Sequence, residues 1–269
     1  MNAADYAKGL GVKSQWVVFR GMPRGMEDSL GYCTYDERNN RFAIFEKTDD
    51  PVTELHELGH VKSHENGYPL FARTLQTEES KEDAEIFDET SLYVQNMFQH
   101  PHVYSLVAGF MSPSDWRHDF DGYLSLFERG VQYYGSVDIK GYERLAGFAV
   151  AGLSIQLVEV LLSTQRHSPG QVPRARACME RVKGLSKRGL ALPKHFWEHS
   201  IGILDPYYSV TPFEDPRRLH DDIMGITGMI LPPDVGLRFL RGPDGIAFKK
   251  VRTHPEVEIP VWIADYHHK

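Results

Sequence analysis

The sequence predicts an α+β fold, in which a small N-terminal sheet is followed by a predominantly helical C-terminal lobe. The chain has 269 residues, of which 41% are hydrophobic and 25% charged, an ordinary globular composition that can supply a substantial core. Residues 15–47 contain three strand-like runs, WVVF, YCTY and RFAIF, separated by turn residues such as Asn39 and Asn40. Most of the chain after this segment has the periodicity of helices.

Charge and cysteine content exclude several function classes. The 30 Lys and Arg residues against 37 Asp and Glu give a net charge of -7, so neither nucleic acid nor an anionic membrane surface is an expected partner. Two cysteines, Cys33 and Cys178, cannot form a disulfide framework or a four-cysteine zinc site. The first twenty residues lack the apolar stretch of a signal peptide, and we therefore expect a cytoplasmic protein.

The domain organisation follows from one apolar segment and the loop after it. Residues 145–162 are almost long enough to span a membrane but contain Gln156 and Glu159, which favours a buried helix. The sequence HSPGQVPR at 167–174 is rich in Pro and Gly and predicts a boundary. We accordingly divide the chain into residues 1–165, with helices expected at 50–98 and 100–165, and a mostly helical lobe at 166–269. The final part of this lobe is expected to be less regular in structure and to contain strands in GIAFKKVR and VEIPVWIA.

The most informative motif lies at the start of the helical part. Asp50 and Pro51 are typical of a helix N-terminus, and residues 56–60 read His-Glu-Leu-Gly-His. On a helix, His56 and His60 project from one face and can bind one zinc ion, with Glu57 beside them as the general base. Gly59 permits close approach of another backbone. The sequence thus predicts a catalytic zinc site.

A catalytic zinc ion normally has three protein ligands and one position for water, so a third ligand is needed. The acid-rich segment 78–98 offers candidates, and its periodicity ranks them. Of the acids, Glu79 and Asp83 share a face with the apolar residues Ile86, Phe87, Val94, Met97 and Phe98. We predict Glu79 as the third ligand and Asp83 as the acceptor of a hydrogen bond from a ligating imidazole. Glu82 or Asp83 replaces Glu79 if the loop at 61–78 runs differently.

Two other features are interpreted as structural. His195 and His199 belong to an inverted His-x-x-Glu-His pattern, which also binds zinc in some enzymes, but an amphipathic helix after Pro193 with chance histidines is favoured. Residues 166–194 contain eight basic residues and one acid. Because this segment lacks aromatic residues that could stack on bases, we interpret it as a solvated helix face.

The motif and its surroundings resemble the gluzincin aminopeptidases of the aminopeptidase N type. In that family His-Glu-x-x-His is followed by 18 residues and Glu, which corresponds to Glu79. The segment Gly25-Met26-Glu27-Asp28 resembles the family's Gly-x-Met-Glu-Asn, and Gly141-Tyr142-Glu143-Arg144 is similar to its Tyr-Glu-Lys-Gly region. The resemblance implies a thermolysin-like zincin fold and a Zn2+ cofactor. It also implies a role for Glu27 in binding a substrate amino terminus and for Tyr142 in supporting the tetrahedral intermediate.

A weaker resemblance, over residues 30–98, is to the compact ImmA/IrrE-type peptidases, which cleave regulatory proteins. Asp28, Arg144 and Leu145 depart from the aminopeptidase pattern, so endopeptidase and exopeptidase activities both stay open. We expect a zinc metallopeptidase whose partner is a peptide or protein substrate. The alternatives are a non-catalytic metal-binding regulatory protein and a zinc hydrolase that acts on a non-peptide bond.

Overall fold

The fold was analysed in a computed structural model of the 269-residue chain. The structure describes residues 2–23, 29–36, 38–68, 70–72, 81–190, 192, 195–209, 215–230, 247–254 and 257–263. Side chains are not described at every position within the helices and strands of these ranges.

The described elements form a mixed α+β structure in which helices predominate, as the sequence predicted. The helices are α1 (Ala3–Leu10), α2 (Pro51–Glu65), α3 (Lys81–Val107), α4 (Pro113–Ser136), α5 (Glu143–His167), α6 (Val172–Gly184), α7 (Phe196–Leu204) and α8 (Pro216–Ile230). The strands are β1 (Trp16–Arg20), β2 (Gly31–Asp36), β3 (Arg41–Glu46), β4 (Leu70–Ala72), β5 (Ala247–His254) and β6 (Val257–Ile263).

The three strands expected in residues 15–47 form one sheet, with β3 at its centre. Strand β3 pairs with β1 in parallel and with β2 in antiparallel orientation. Phe42 and Ile44 of β3 are fully buried because alternate side chains of a strand point to one face, and this face packs on the helices. The predicted N-terminal sheet is therefore confirmed, and its strand β2 contacts α2.

Helix α2 begins where the sequence predicted. The side chain of Asp50 accepts a hydrogen bond from the backbone nitrogen of Val52 at 3.1 Å, and Pro51 occupies the first turn. All residues from Glu54 to Val61 are buried, because the sheet lies on one side of α2 and α3 on another. The His-Glu-Leu-Gly-His motif is consequently enclosed by the protein on several sides.

Helices α3 and α5 run in the same direction and pack against each other. Tyr93 of α3 lies against Gly152 of α5, and His100, further along α3, lies against Glu159, further along α5. The residues Ala146–His167 of α5 are long and apolar enough to span a membrane. Their most apolar 18-residue window has a mean hydropathy of 1.7, and 78% of it is buried inside the molecule. This burial agrees with the core helix that was predicted for residues 145–162.

One hydrophobic core contains side chains from both sides of the boundary predicted at residue 166. It includes Leu162 of α5, Ala175 and Cys178 of α6 and Phe196 of α7. A second sheet has the strand order β4-β6-β5, and its strands β5 and β6 lie in the two segments that were predicted to be extended.

Candidate metal centre

Three buried histidines lie close enough together to bind one metal ion. They are His56 and His60 of α2 and His100 of α3, whose candidate ligand atoms all lie within 4.8 Å of one another. The Nε2 atoms of His56 and His60 are 3.2 Å apart, as expected for residues i and i+4 on one helix face. A search of the described residues found no other group of three such side chains.

Close packing of α2 on α3 brings His100 to the other two imidazoles. A Cβ atom at Gly59 would lie 2.8 Å from Cγ1 of Val103 and 2.9 Å from Cγ1 of Val107, so only glycine fits here without displacement. Val103 is one turn after His100 and therefore lies on the same face of α3. The close approach predicted for Gly59 is thus observed, and its consequence is the position of His100.

Each of the three imidazoles has a polar side chain near its Nδ1 atom. His60 Nδ1 lies 2.9 Å from Oε1 of Gln99, His100 Nδ1 lies 3.1 Å from Oε2 of Glu159, and His56 Nδ1 lies 3.8 Å from Oδ2 of Asp119. Carboxylate or amide oxygens in these positions orient metal-binding histidines and increase their basicity. In His56 and His60 the Nε2 atoms lie on the far side of the ring from these oxygens and face each other at 3.2 Å.

Glu57 follows His56 directly and is buried with it. A Cβ atom at Gly31 of β2 would clash with Oε1 of Glu57 and lie 2.8 Å from Cγ2 of Thr53. The glycine at the start of β2 therefore lets the strand pack directly on the Glu57 carboxyl group.

The carboxyl groups around the histidines repel one another in a dry environment. Burial raises the pKa of Glu57 to about 8, with a contribution from the negative charge of Asp119. Burial likewise raises the pKa of Asp119 to about 8, assisted by the charges of Glu159 and Asp50. A cation held by the three imidazoles would stabilise the ionised forms of these acids. The charge distribution therefore fits a metal ion.

The imidazoles themselves are suited to bind a metal at neutral pH. Burial lowers the pKa of His56 and of His60 well below the usual histidine value, and the neighbouring His100 contributes to both shifts. Neutral imidazole is the form that offers a lone pair to a metal ion. Both rings are therefore neutral at pH 7, so metal binding does not have to displace a net proton from either of them.

Two tyrosines line the cluster. The ring centroid of Tyr104 is 5.4 Å from those of His56 and His100, and Tyr104 is fully buried. The ring centroid of Tyr123, from α4, is 6.2 Å from that of His56 and 6.4 Å from that of His100. Tyr123 is partly exposed, and burial together with the charges of Asp119, Glu57 and Glu159 raises its pKa. Its hydroxyl is consequently a protonated hydrogen-bond donor at neutral pH.

The structure brings together only part of the predicted site. His56, Glu57 and His60 lie in the cluster, whereas Glu79 and Glu27 lie outside the described residues. Asp83 is on α3, 17 residues before His100, which is about 25 Å along a helix axis; its side chain is not described. Glu82 is likewise described only as part of the helix backbone.

Tyr142 does not lie near the cluster. It is 66% exposed and immediately precedes α5. Glu159, the α5 residue that contacts His100, follows 17 residues later, or about 25 Å along the axis.

Sequence reasoning missed several residues of the site, although two of them gave a signal. His100 follows Met97 by three residues and so belongs to the apolar face from which the third ligand was sought. Glu159 is an acid in the middle of the most apolar helix of the chain, where an ionisable group needs a partner. The signals from Gln99 and Asp119 are weaker, because their burial depends on how α3 and α4 pack.

Among the residues that the structure describes, the inverted motif near the C-terminus belongs to no cluster of metal-binding side chains. His195 and His199 are both exposed, whereas Phe196 is fully buried and Trp197 is nearly so. The amphipathic helix predicted there is therefore confirmed as α7.

Comparisons of the chain with protein-family models, with curated proteins and with solved structures found no match.

Proposed function

We propose that the protein is a zinc-dependent metallopeptidase in which His56, His60 and His100 hold the metal and Glu57 is the general base. The supporting observation is the convergence of the three buried histidines within 4.8 Å of one another, with Glu57 on the same helix. Glu79, predicted from the helix periodicity and also implied by the resemblance to gluzincins, would be replaced by His100 in this ligand set.

The donor set fits zinc well. Three protein ligands with a fourth position open are typical of catalytic zinc, and three imidazoles are among the known combinations. Imidazole nitrogen also suits copper, iron and nickel, so the metal must be identified by analysis of the purified protein. When bound, the ion would polarise a substrate carbonyl and lower the pKa of a water molecule.

The proton transfers of the reaction are assigned to a side chain of the protein, that of Glu57. Glu57 would accept a proton from a water molecule while the oxygen of that water forms a bond to the carbonyl carbon. It would then deliver the proton to the leaving amine as the C–N bond breaks. The positive charge at the site would keep Glu57 ionised for the first transfer, although its pKa is about 8 when the site holds no cation.

Tyr123 is the tyrosine that we assign to stabilisation of the developing oxyanion. Its ring lies 6.2 Å from that of His56 and 6.4 Å from that of His100, so that its side chain borders the cluster on the α4 side. Tyr142, the residue implied by the resemblance, lies on the surface about 25 Å from Glu159 along α5. A single oxyanion donor of this kind changes rates by roughly 100- to 1000-fold.

The substrate is proposed to be a peptide or protein, in keeping with the resemblance to gluzincins. The thermolysin-like arrangement and an aminopeptidase-like preference, with Glu27 binding the amino terminus, are parts of the same proposal. An ImmA/IrrE-like endopeptidase would share the metal chemistry but would not need a free amino terminus.

The test is cleavage of a quenched fluorescent peptide library by the zinc-loaded protein and by its Glu57→Gln variant. We expect turnover to fall by roughly 100- to 10,000-fold while zinc content is retained. Glu198→Gln, on the exposed surface of α7, is the matched control and should keep full activity. Unchanged cleavage by Glu57→Gln would exclude the mechanism.

Acetylation of the peptide amino terminus separates the two peptidase classes. Loss of cleavage on acetylation would support aminopeptidase activity, and unchanged cleavage would support an endopeptidase. If zinc binds and no peptide is cleaved by the wild-type protein, a binding or regulatory role replaces the proposed reaction.

A further inference from the structure

A continuous chain of hydrogen bonds runs from the backbone behind the cluster to one of its histidines. His64 Nδ1 lies 2.9 Å from the carbonyl oxygen of Tyr68, and His64 Nε2 lies 3.2 Å from Nε2 of Gln99. The other amide atom of Gln99, Oε1, lies 2.9 Å from Nδ1 of His60. All four residues are buried, so no bulk water competes for these groups.

The backbone carbonyl of Tyr68 determines which atom donates in each of these hydrogen bonds. A carbonyl oxygen only accepts, so His64 must carry a proton on Nδ1. Burial lowers the pKa of His64 to about 4, and a neutral ring with a proton on Nδ1 accepts at Nε2. The amide nitrogen of Gln99 therefore donates to His64, which leaves the amide oxygen of Gln99 facing His60.

The same logic determines the tautomer of His60. Because the amide oxygen of Gln99 is an acceptor, His60 donates from Nδ1 and keeps a lone pair on Nε2. Nε2 is the atom that faces His56 Nε2 at 3.2 Å, within the metal-binding cluster. A flipped Gln99 amide would present its NH2 group to His60 and would favour the opposite tautomer, which cannot bind a metal through Nε2.

We propose that Gln99 and His64 are positioning residues, in which His64 fixes the orientation of the Gln99 amide and Gln99 thereby holds His60 in the tautomer that binds metal. This role depends on the metal site of the proposed function but not on peptide hydrolysis. It assigns a task to His64, a third histidine of α2 that lies one turn beyond the His-Glu-Leu-Gly-His motif.

His56 has no comparable support. Its Nδ1 atom lies 3.8 Å from Asp119, beyond hydrogen-bonding distance. Since Nε2 of His60 accepts, the 3.2 Å contact between the two rings requires His56 to donate from Nε2 when no metal is bound. Metal binding must therefore move the proton of His56 away from Nε2, whereas His60 needs no change. This difference between the two rings gives the proposal a signature that can be measured.

The first experiment is long-range 1H–15N NMR of the histidine rings in the metal-free wild-type protein at pH 7. The proposal requires His60 to carry its proton on Nδ1 and His56 to carry it on Nε2. A proton on Nε2 of His60 would overturn the proposal. This measurement needs neither metal nor activity, so it remains informative even if the proposed function fails.

The second experiment measures zinc affinity by competition with a chelator. Gln99→Leu should bind zinc about 10- to 100-fold more weakly, whereas Gln99→Glu, which still accepts from His60, should stay within a few-fold of wild type. Gln95→Leu, the same substitution one turn earlier in α3, is the matched control and should have no effect. Wild-type affinity in Gln99→Leu would overturn the proposal.

Variants of His64 test the part of the hydrogen-bond chain that lies farther from the histidine cluster. His64→Phe removes the acceptor that orients Gln99, and should both weaken zinc binding and populate the other His60 tautomer in the NMR spectrum. His64→Gln, which can place an amide oxygen near the position of Nε2, should restore part of the affinity and the tautomer. Weaker binding in His64→Phe with an unchanged His60 tautomer would indicate a merely structural role and would overturn the proposal.

If wild-type protein binds no zinc, the metal site itself is refuted, which the NMR result distinguishes from failure of the hydrogen-bond chain.

Discussion

Gly59 of α2 lies so close to Val103 of α3 that a Cβ atom on the glycine would come within 2.8 Å of the valine Cγ1 atom. This contact sets the distance between the two helices that carry the three histidines. A residue without any metal-binding group therefore determines whether His100 reaches His56 and His60.

Replacement of Gly59 by alanine should separate α2 from α3 locally. We expect a loss of about 1–3 kcal/mol in the free energy of unfolding from overpacking, together with weaker zinc binding. Urea denaturation and a zinc titration measure the two effects. Gly202→Ala is the control, because Gly202 is an exposed helical glycine with no atom near its Cβ position, and it should stabilise by about 0.5–1 kcal/mol. Equal behaviour of the two variants would show that the close contact has no influence.

Metal content distinguishes the proposed ligand set of His56, His60 and His100 from the set with Glu79 that the sequence predicted. Wild-type protein should contain about one zinc per chain, and His100→Ala should lose it because one of three ligands is removed. His195→Ala, which changes an exposed histidine of α7's N-terminus, should retain it. Elemental analysis of the purified, tag-free proteins gives the answer. Zinc retained in His100→Ala but lost in Glu79→Ala would restore the gluzincin ligand set.

Two tyrosine variants separate the site geometry from the family resemblance. Tyr123→Phe should lower kcat by roughly 100- to 1000-fold, with zinc content unchanged, because the hydroxyl that would donate to the oxyanion is removed. Tyr142→Phe should leave kcat near the wild-type value, since that side chain is exposed and lies far along α5. Steady-state kinetics on one peptide substrate compares them. The reverse pattern would assign the oxyanion role to Tyr142.

Acid should weaken one contact between α4 and α6. Arg174 donates from Nε and from one Nη to the two carboxylate oxygens of Glu128, both at 2.7 Å, and these hydrogen bonds lower the pKa of Glu128. A group with a lowered pKa in the folded state stabilises the fold above its unfolded pKa and loses that contribution as the pH falls through the folded value.

The size of this effect is modest, because both side chains are about one third exposed. We expect Glu128→Gln to cost a few tenths to about 1 kcal/mol at pH 7, and the difference from wild type to be smaller near pH 4, below the ordinary pKa of a glutamate. Urea unfolding at the two pH values measures it. Glu180→Gln is the control. Glu180 pairs with Lys183 and is more exposed than Glu128, so its replacement should have a smaller effect. A Glu128→Gln difference that is as large near pH 4 as at pH 7 would exclude the ion pair as its origin.

The sequence by itself determined the local features of this protein. The three N-terminal strands, the start of α2 at Asp50 and Pro51, the shared face of His56 and His60, and the amphipathic nature of α7 all follow from short-range patterns and were predicted. These features depend on backbone hydrogen bonding, capping and residue periodicity, which neighbouring residues in the chain control.

The tertiary structure decided which distant residues complete the site. His100, Gln99, Asp119 and Glu159 come from three helices and meet α2 through side-chain packing. Their meeting depends on interhelical distances such as the one set by Gly59 and Val103. A periodic pattern shows which face of a helix is buried but not which other helix covers it. The third ligand was sought among the acids near the start of α3, whereas packing places an imidazole of that helix, His100, beside His56 and His60.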